Sequence, residues 1–135
     1  MSVIFSRQCE YALQAVCYLA IQPAGEMKSI KELTKKLKIP HHFLAKILQD
    51  LVYKNLLVSQ KGRAGGFALA ISPDKITLNH IVEAIDGSDF KKQCVMGLSK
   101  CSSKDPCAVH EHWGKIRESI YSMLSSKSIS ELAGE

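Results

Sequence analysis

Apolar and polar positions follow a helical period through most of this chain. After Ser6, a good helix cap, Tyr11, Ala12, Ala15, Val16, Leu19 and Ala20 recur on one face up to about Ile21. Gln22-Pro23-Ala24-Gly25 then stops the run. Ser29-Ile30-Lys31-Glu32 has the spacing of a capping box, and Ile30, Leu33 and Leu37 give the short helix after it an apolar face. Ile39-Pro40 opens a third helix with Phe43, Leu44, Ile47, Leu48, Leu51 and Val52 inward. Leu56–Gln60 and Phe67–Ile71 read as strands around the glycine-rich turn Lys61-Gly62-Arg63-Ala64-Gly65-Gly66. Past the turn Ser72-Pro73-Asp74, Thr77 caps a fourth helix to about Asp86, with Leu78, Ile81, Val82 and Ile85 inward and Gly87 as its stop.

From about Ser88 to Pro106 neither period is present, and so long an irregular segment in a small domain is usually functional or disordered. A long helix begins near Ala108. Its apolar positions Val109, Trp113, Ile116, Ile120 and Met123 step by 4, 3, 4 and 3, a heptad-like seam that predicts packing against a second copy of the chain. Packing on its own domain is the alternative. Ser128-Ile129-Ser130-Glu131 opens a short terminal helix.

Two helices joined by a tight turn, the second starting on exposed polar residues, followed by a hairpin, describe a winged helix-turn-helix. The predicted fold is mainly α with a small β-hairpin wing and a long C-terminal dimerisation helix. The expected divisions are a DNA-binding domain over 1–87, a cysteine-bearing loop over 88–107 and a dimerisation segment over 108–135. Charge supports the reading. The formal net charge is +5, yet Lys28 to Arg63 holds nine Lys or Arg against Glu32 and Asp50, so that window is strongly basic and the remainder slightly acidic. The DNA-facing candidates are Pro40, His41, His42, Ala45 and Lys46 at the start of the third helix, where such helices enter the major groove. Ser29 and the amides beside it suit a phosphate. Lys61 and Arg63 on the wing suit the minor groove, with flanking glycines such as Gly65 allowing close backbone approach.

The irregular segment adds soft ligands: Cys94, Cys101 and Cys107, with His110 about one helical turn beyond the last. Three thiolates and one imidazole suit an iron–sulfur cluster. Structural zinc favours closer spacing than the six and five residues that separate these cysteines. A metal-free thiol switch and unligated cysteines are the remaining alternatives. Cys9 and Cys17 fall in the first helix and read as small buried residues. No phosphate-binding loop or hydrolase triad is present, so no enzyme is expected. No stretch has the length of a membrane span, and Arg7 and Glu10 stand where a secretory signal needs an apolar run, which predicts a cytoplasmic protein.

Ile39 through Gly87 resembles the Rrf-type winged helix-turn-helix regulators. The matching residues are Lys61-Gly-Arg-Ala-Gly-Gly-Phe67, Leu69-Ala70, Ser72-Pro73, Ile76-Thr77-Leu78 and Ile85-Asp86-Gly87, with Glu10-Tyr11-Ala12-Leu13 before them and Ser128-Ile-Ser-Glu-Leu132 after. The resemblance implies a dimeric transcription regulator, most often a repressor, on a pseudo-palindromic double-stranded operator. Cys107-Ala-Val-His110 is similar to the iron–sulfur cluster-binding branch of biogenesis regulators, which implies a 2Fe–2S cluster on Cys94, Cys101, Cys107 and His110, sensing iron, redox or nitric oxide status. The nitric-oxide-sensing branch takes a carboxylate from the partner's first helix instead, and Glu10 holds that place here. Two departures stand out. The gap between Cys94 and Cys101 is one residue longer than is common in the family. Ala45 stands where the biogenesis regulator reads bases with a glutamate, so that operator sequence does not transfer.

Overall fold

Six α-helices and one two-stranded hairpin make up the described part of the chain. The computed structural model describes residues 5–87 and 108–134. The helices are α1 (Arg7–Ala20), α2 (Ile30–Leu37), α3 (His41–Tyr53), α4 (Leu78–Asp86), α5 (His110–Ser126) and α6 (Ile129–Leu132). The hairpin is β1 (Leu57–Gln60) and β2 (Gly66–Leu69), and a 3₁₀ turn at Pro73–Lys75 precedes α4.

The predicted caps are in place. Ser6 Oγ accepts the Cys9 N–H at 3.0 Å, and Ser29 with Glu32 closes a full capping box on α2. Thr77 caps α4 in a box whose third-position partner is His80, a residue the sequence pattern did not single out. Gly87 ends α4 at φ 81°, conformational space that costs a residue with a Cβ. The helix-turn-helix corner is made without glycine. Lys38 takes the left-handed conformation (φ 58°, ψ 39°) and turns the chain so that Ile39 is buried. Pro40 then sits at the N-cap of α3, and the helix proper begins at His41.

One core holds these elements together. Ala12, Ala15, Val16 and Leu19 of α1 pack with Leu33 of α2, Leu44, Ile47, Leu48 and Leu51 of α3, and Ile81 and Val82 of α4. Small alanines on α1 let α3 and α4 approach closely, so the helix is buried along a whole stripe. Leu124 of α5 and Ile129 of α6 enter the same core. The corner between α5 and α6 is pinned by an antiparallel bridge of Thr77 with Ser128. In it Leu78 N–H donates to Lys127 O at 3.0 Å and Ile129 N–H to Ile76 O at 2.8 Å.

The wing pairs Leu57 with Leu69 through Gln60 with Gly66. It is anchored by a further bridge: Lys28 N–H donates to Phe67 O at 3.0 Å and Phe67 N–H to Lys28 O at 2.8 Å. That bridge ties the wing to the start of α2. It also explains Gly66, where a Cβ would lie 2.3 Å from Lys28 O.

Phe43 departs from the sequence-based expectation. Its spacing predicts the inner face of α3, but the residue is 39% exposed at the helix start. The 3.6-residue period puts position 43 at the margin of the buried stripe defined by Leu44, Ile47, Leu48 and Leu51, and the aromatic ring lies over that margin.

Candidate nucleic-acid interface and metal-ligand segment

The outward face of α3 carries His42, Lys46, Gln49 and Tyr53, spaced so that they line up along the helix, with Pro40 and His41 exposed at its start. Ala45 is half-buried beside this row. Gln49 and Tyr53, at i+3 and i+7 from Lys46, extend this exposed row beyond the residues that the sequence singles out. No side chain caps α3, so its first backbone N–H groups point outward with the positive end of the helix dipole. His42 is not a free polar residue. Its ring stacks on Phe43 with centroids 4.3 Å apart, and Phe43 in turn meets Tyr11 of α1 at 6.3 Å.

The wing tip holds Lys61, Gly62 and Arg63, all exposed. Gly65, expected to permit approach to DNA, has a reason inside the protein. A Cβ there would lie 2.0 Å from Gln60 O, so the glycine is needed to close the hairpin. Ser29 is likewise engaged locally. Its Oγ accepts from Glu32 N–H at 3.1 Å and donates to the Glu32 carboxylate at 3.2 Å. A phosphate reaching this helix start shares it with the Glu32 carboxylate. Lys28 is also turned inward to Glu26 at 3.5 Å and Glu32 at 3.8 Å, which leaves the exposed lysines of α2, α3 and the wing to provide the basic surface.

Of the ligand candidates, Cys94, Cys101 and Cys107 lie outside the described residues. His110 is the first residue of α5 and is half-exposed, with the helix start not side-chain-capped. Glu10 is half-buried in the first turn of α1. Among the described residues, no three His, Cys, Asp or Glu side chains converge as a metal site. Cys9 is wholly buried; its burial, with Asp86 and Glu10 nearby, pushes the thiol up to about 12. Burial raises Cys17 as well. Both are poor thiolate donors, as expected for packing residues.

Of the predicted seam, Ile120 packs on the core and Trp113 is half-buried, whereas Val109, Ile116 and Met123 stay exposed, Ile116 to 51%. The helix is fastened at its C-terminal end by Leu124 and presents apolar residues along its outer side.

Residues 5–135 match a family described as Rrf2, iron-dependent transcriptional regulator. The chain belongs to the Rrf2 family. It is 36% identical over 132 residues to a chain of Aquifex aeolicus assigned to the HTH-type transcriptional regulators, covering 96% of this chain and 91% of that one. It is 25% identical to the HTH-type transcriptional regulator IscR of Aliivibrio salmonicida, over 90% of this chain and 72% of that one. Among solved structures, CymR, the global cysteine regulator of B. subtilis, has the same fold with a TM-score of 0.83 at 23% identity, covering 98% and 97% of the two chains. This Rrf2 protein is therefore a transcriptional regulator with a winged-helix fold, and its relatives are regulators rather than enzymes. No helix among the described residues is long and apolar enough to cross a membrane.

Proposed function

We propose that this Rrf2 protein is a cytoplasmic homodimer that binds a pseudo-palindromic operator and changes its affinity with the state of a 2Fe–2S cluster, acting as a repressor. In this reading residues 1–87 form the DNA-binding head, 88–107 supply thiolates, and 108–135 hold two copies together through Val109, Trp113, Ile116, Ile120 and Met123. The observation that carries the DNA part is the uncapped, exposed start of α3 beside a basic wing. His42 and Lys46 read the major groove, Lys61 and Arg63 reach the adjacent minor groove, His41, Ser29 and the wing backbone meet phosphates, and Pro40, which has no donor, sets the helix start beside the strand.

The donor set fits the cluster. Three thiolates match the preference of iron for sulfur, and the imidazole of His110 at the start of α5 supplies a fourth donor type. Cys94, Cys101, Cys107 and His110 would hold it, with Glu10 of a partner subunit as the alternative to His110. When bound, the cluster supplies a one-electron redox couple whose potential a histidine ligand raises. His110 is also positioned to link ligation to α5, since it is the first residue of the helix that Leu124 fastens to the core.

The test is operator binding by anaerobically purified protein, by the same protein stripped of metal, and by Cys101→Ala. Affinity that differs between the loaded protein and the other two supports the reading. Equal affinity in all three reduces the protein to a regulator without cluster control. A change on thiol oxidation alone, in metal-free protein, recasts the cysteines as a thiol switch.

A further inference from the structure

We infer that the DNA-facing surface continues from α3 onto α1, where Arg7 takes a backbone phosphate beside the groove that His42 enters. The inference deepens the DNA-binding reading proposed above and depends on it.

Four side chains make a continuous path. His42 stacks on Phe43 at 4.3 Å between centroids, with the ring planes 36° apart. Phe43 meets Tyr11 at 6.3 Å, tilted by 53°. Arg7 stands one helical turn before Tyr11 on α1, the spacing that puts both on one face of the helix. Phe43 is exposed though large and apolar, and Tyr11 is only half-buried, so this path runs along the surface.

The ring-to-ring steps of 4.3 and 6.3 Å lead from His42 toward α1 within the roughly 12 Å width of the major groove. One helical turn before Tyr11 on α1 stands a guanidinium, whose planar fork suits phosphate oxygens. Arg7 is exposed, so little desolvation hinders the contact. The nearby acids weaken the contact without cancelling the stronger pull of a phosphate strand: Asp86 keeps its negative charge while it accepts the Ser6 N–H and hydroxyl, and the half-buried Glu10 lies in the same turn as Arg7.

The rings also give Phe43 a role as a positioning residue. A histidine in the first turn of a helix has several rotamers, and stacking on Phe43 selects those that project along the helix start.

The experiment uses the full chain and a duplex of about 30 base pairs enriched from a random pool by the wild-type protein, long enough for two half-sites. Affinity is measured across a salt series for wild type, Arg7→Gln, Arg7→Lys, Tyr11→Phe and Lys46→Gln. Arg7→Gln is expected to weaken binding about 3- to 10-fold per head at ~100 mM salt. It should also lower the slope of log affinity against log salt by about 0.9 for each arginine removed, equally on the enriched and a scrambled duplex. Arg7→Lys should keep most of the slope, and Tyr11→Phe, which removes no charge, should leave it unchanged. An unchanged affinity and slope in Arg7→Gln, while Lys46→Gln weakens binding, overturns the inference and leaves the DNA-binding reading intact. If wild type enriches no duplex, that reading fails, and this inference fails with it.

Discussion

Asp86, the last residue of α4, receives both polar groups of Ser6, the residue that caps α1: the Ser6 N–H donates to one carboxylate oxygen at 3.1 Å and the Ser6 hydroxyl to the other. The same hydroxyl accepts the Cys9 N–H, so one serine closes α1 and fastens it to the end of α4. Gly87 follows immediately, and the cysteine-bearing segment starts there. Asp86→Ala is expected to lower unfolding free energy by about 1–2 kcal/mol, and Ser6→Ala by about 1 kcal/mol through the lost cap. Because both changes break one network, the double variant should lose less than the sum, which urea denaturation of the four proteins measures.

Two glycines should respond in opposite ways. Gly66→Ala places a Cβ 2.3 Å from Lys28 O at φ 146°, against backbone that cannot give way. A loss of roughly 2–4 kcal/mol is expected, with the wing detached from α2. Gly114 lies inside α5 with open space around it, so Gly114→Ala should raise stability by about 0.5–1 kcal/mol. Thermal denaturation checks both. A fall in dimer affinity for Gly114→Ala would show instead that a second chain approaches there.

Cys9 ties stability to alkaline pH. The thiol is raised from an ordinary 9.0 to about 12 in the folded protein, chiefly by burial. Between these values the unfolded chain has lost the proton and the folded one keeps it. Stability is therefore intact below about pH 9 and declines as pH rises toward 12. Cys9→Ala should flatten that decline in a denaturation series. At pH 8, native Cys9 should resist alkylation that goes to completion after unfolding.

The proposed dimer seam on the outer side of α5 can be tested apart from folding. Leu124→Ala removes a fully buried side chain and should cost about 2–5 kcal/mol. Ile116→Glu alters an exposed one and should leave the monomer's melting nearly unchanged while driving a dimer to monomers, as sedimentation reads directly. A dimer that survives Ile116→Glu and Met123→Lys together would contradict the assignment of this seam.

Much of this structure was legible in the sequence because caps and periodicity are local properties. Ser6, Ser29, Thr77 and Ser128 each announce a helix, and the alternation around Lys61–Gly66 announces the hairpin. What local pattern does not carry is tertiary. The Lys28–Phe67 bridge joins residues far apart in the chain, and it was invisible until the wing met α2. Gly65 also has a tertiary reason that the sequence does not show, the Gln60 carbonyl oxygen packed where a Cβ would lie. Phe43 fits a buried period by spacing, yet lies at the edge of the stripe, where Tyr11 and His42 give it partners that only the packing of α1 on α3 creates. Cys94, Cys101 and Cys107 lie outside the described residues, in a stretch whose sequence has no period, so their chemistry is read from residue type and spacing.

The most direct test of cluster control is the content of iron, acid-labile sulfide and zinc per chain in protein purified without oxygen. The account predicts iron and sulfide in equal amounts, about two of each per chain, lost together in Cys101→Ala and diminished in His110→Ala. Zinc in place of iron, or no metal at all, would contradict it.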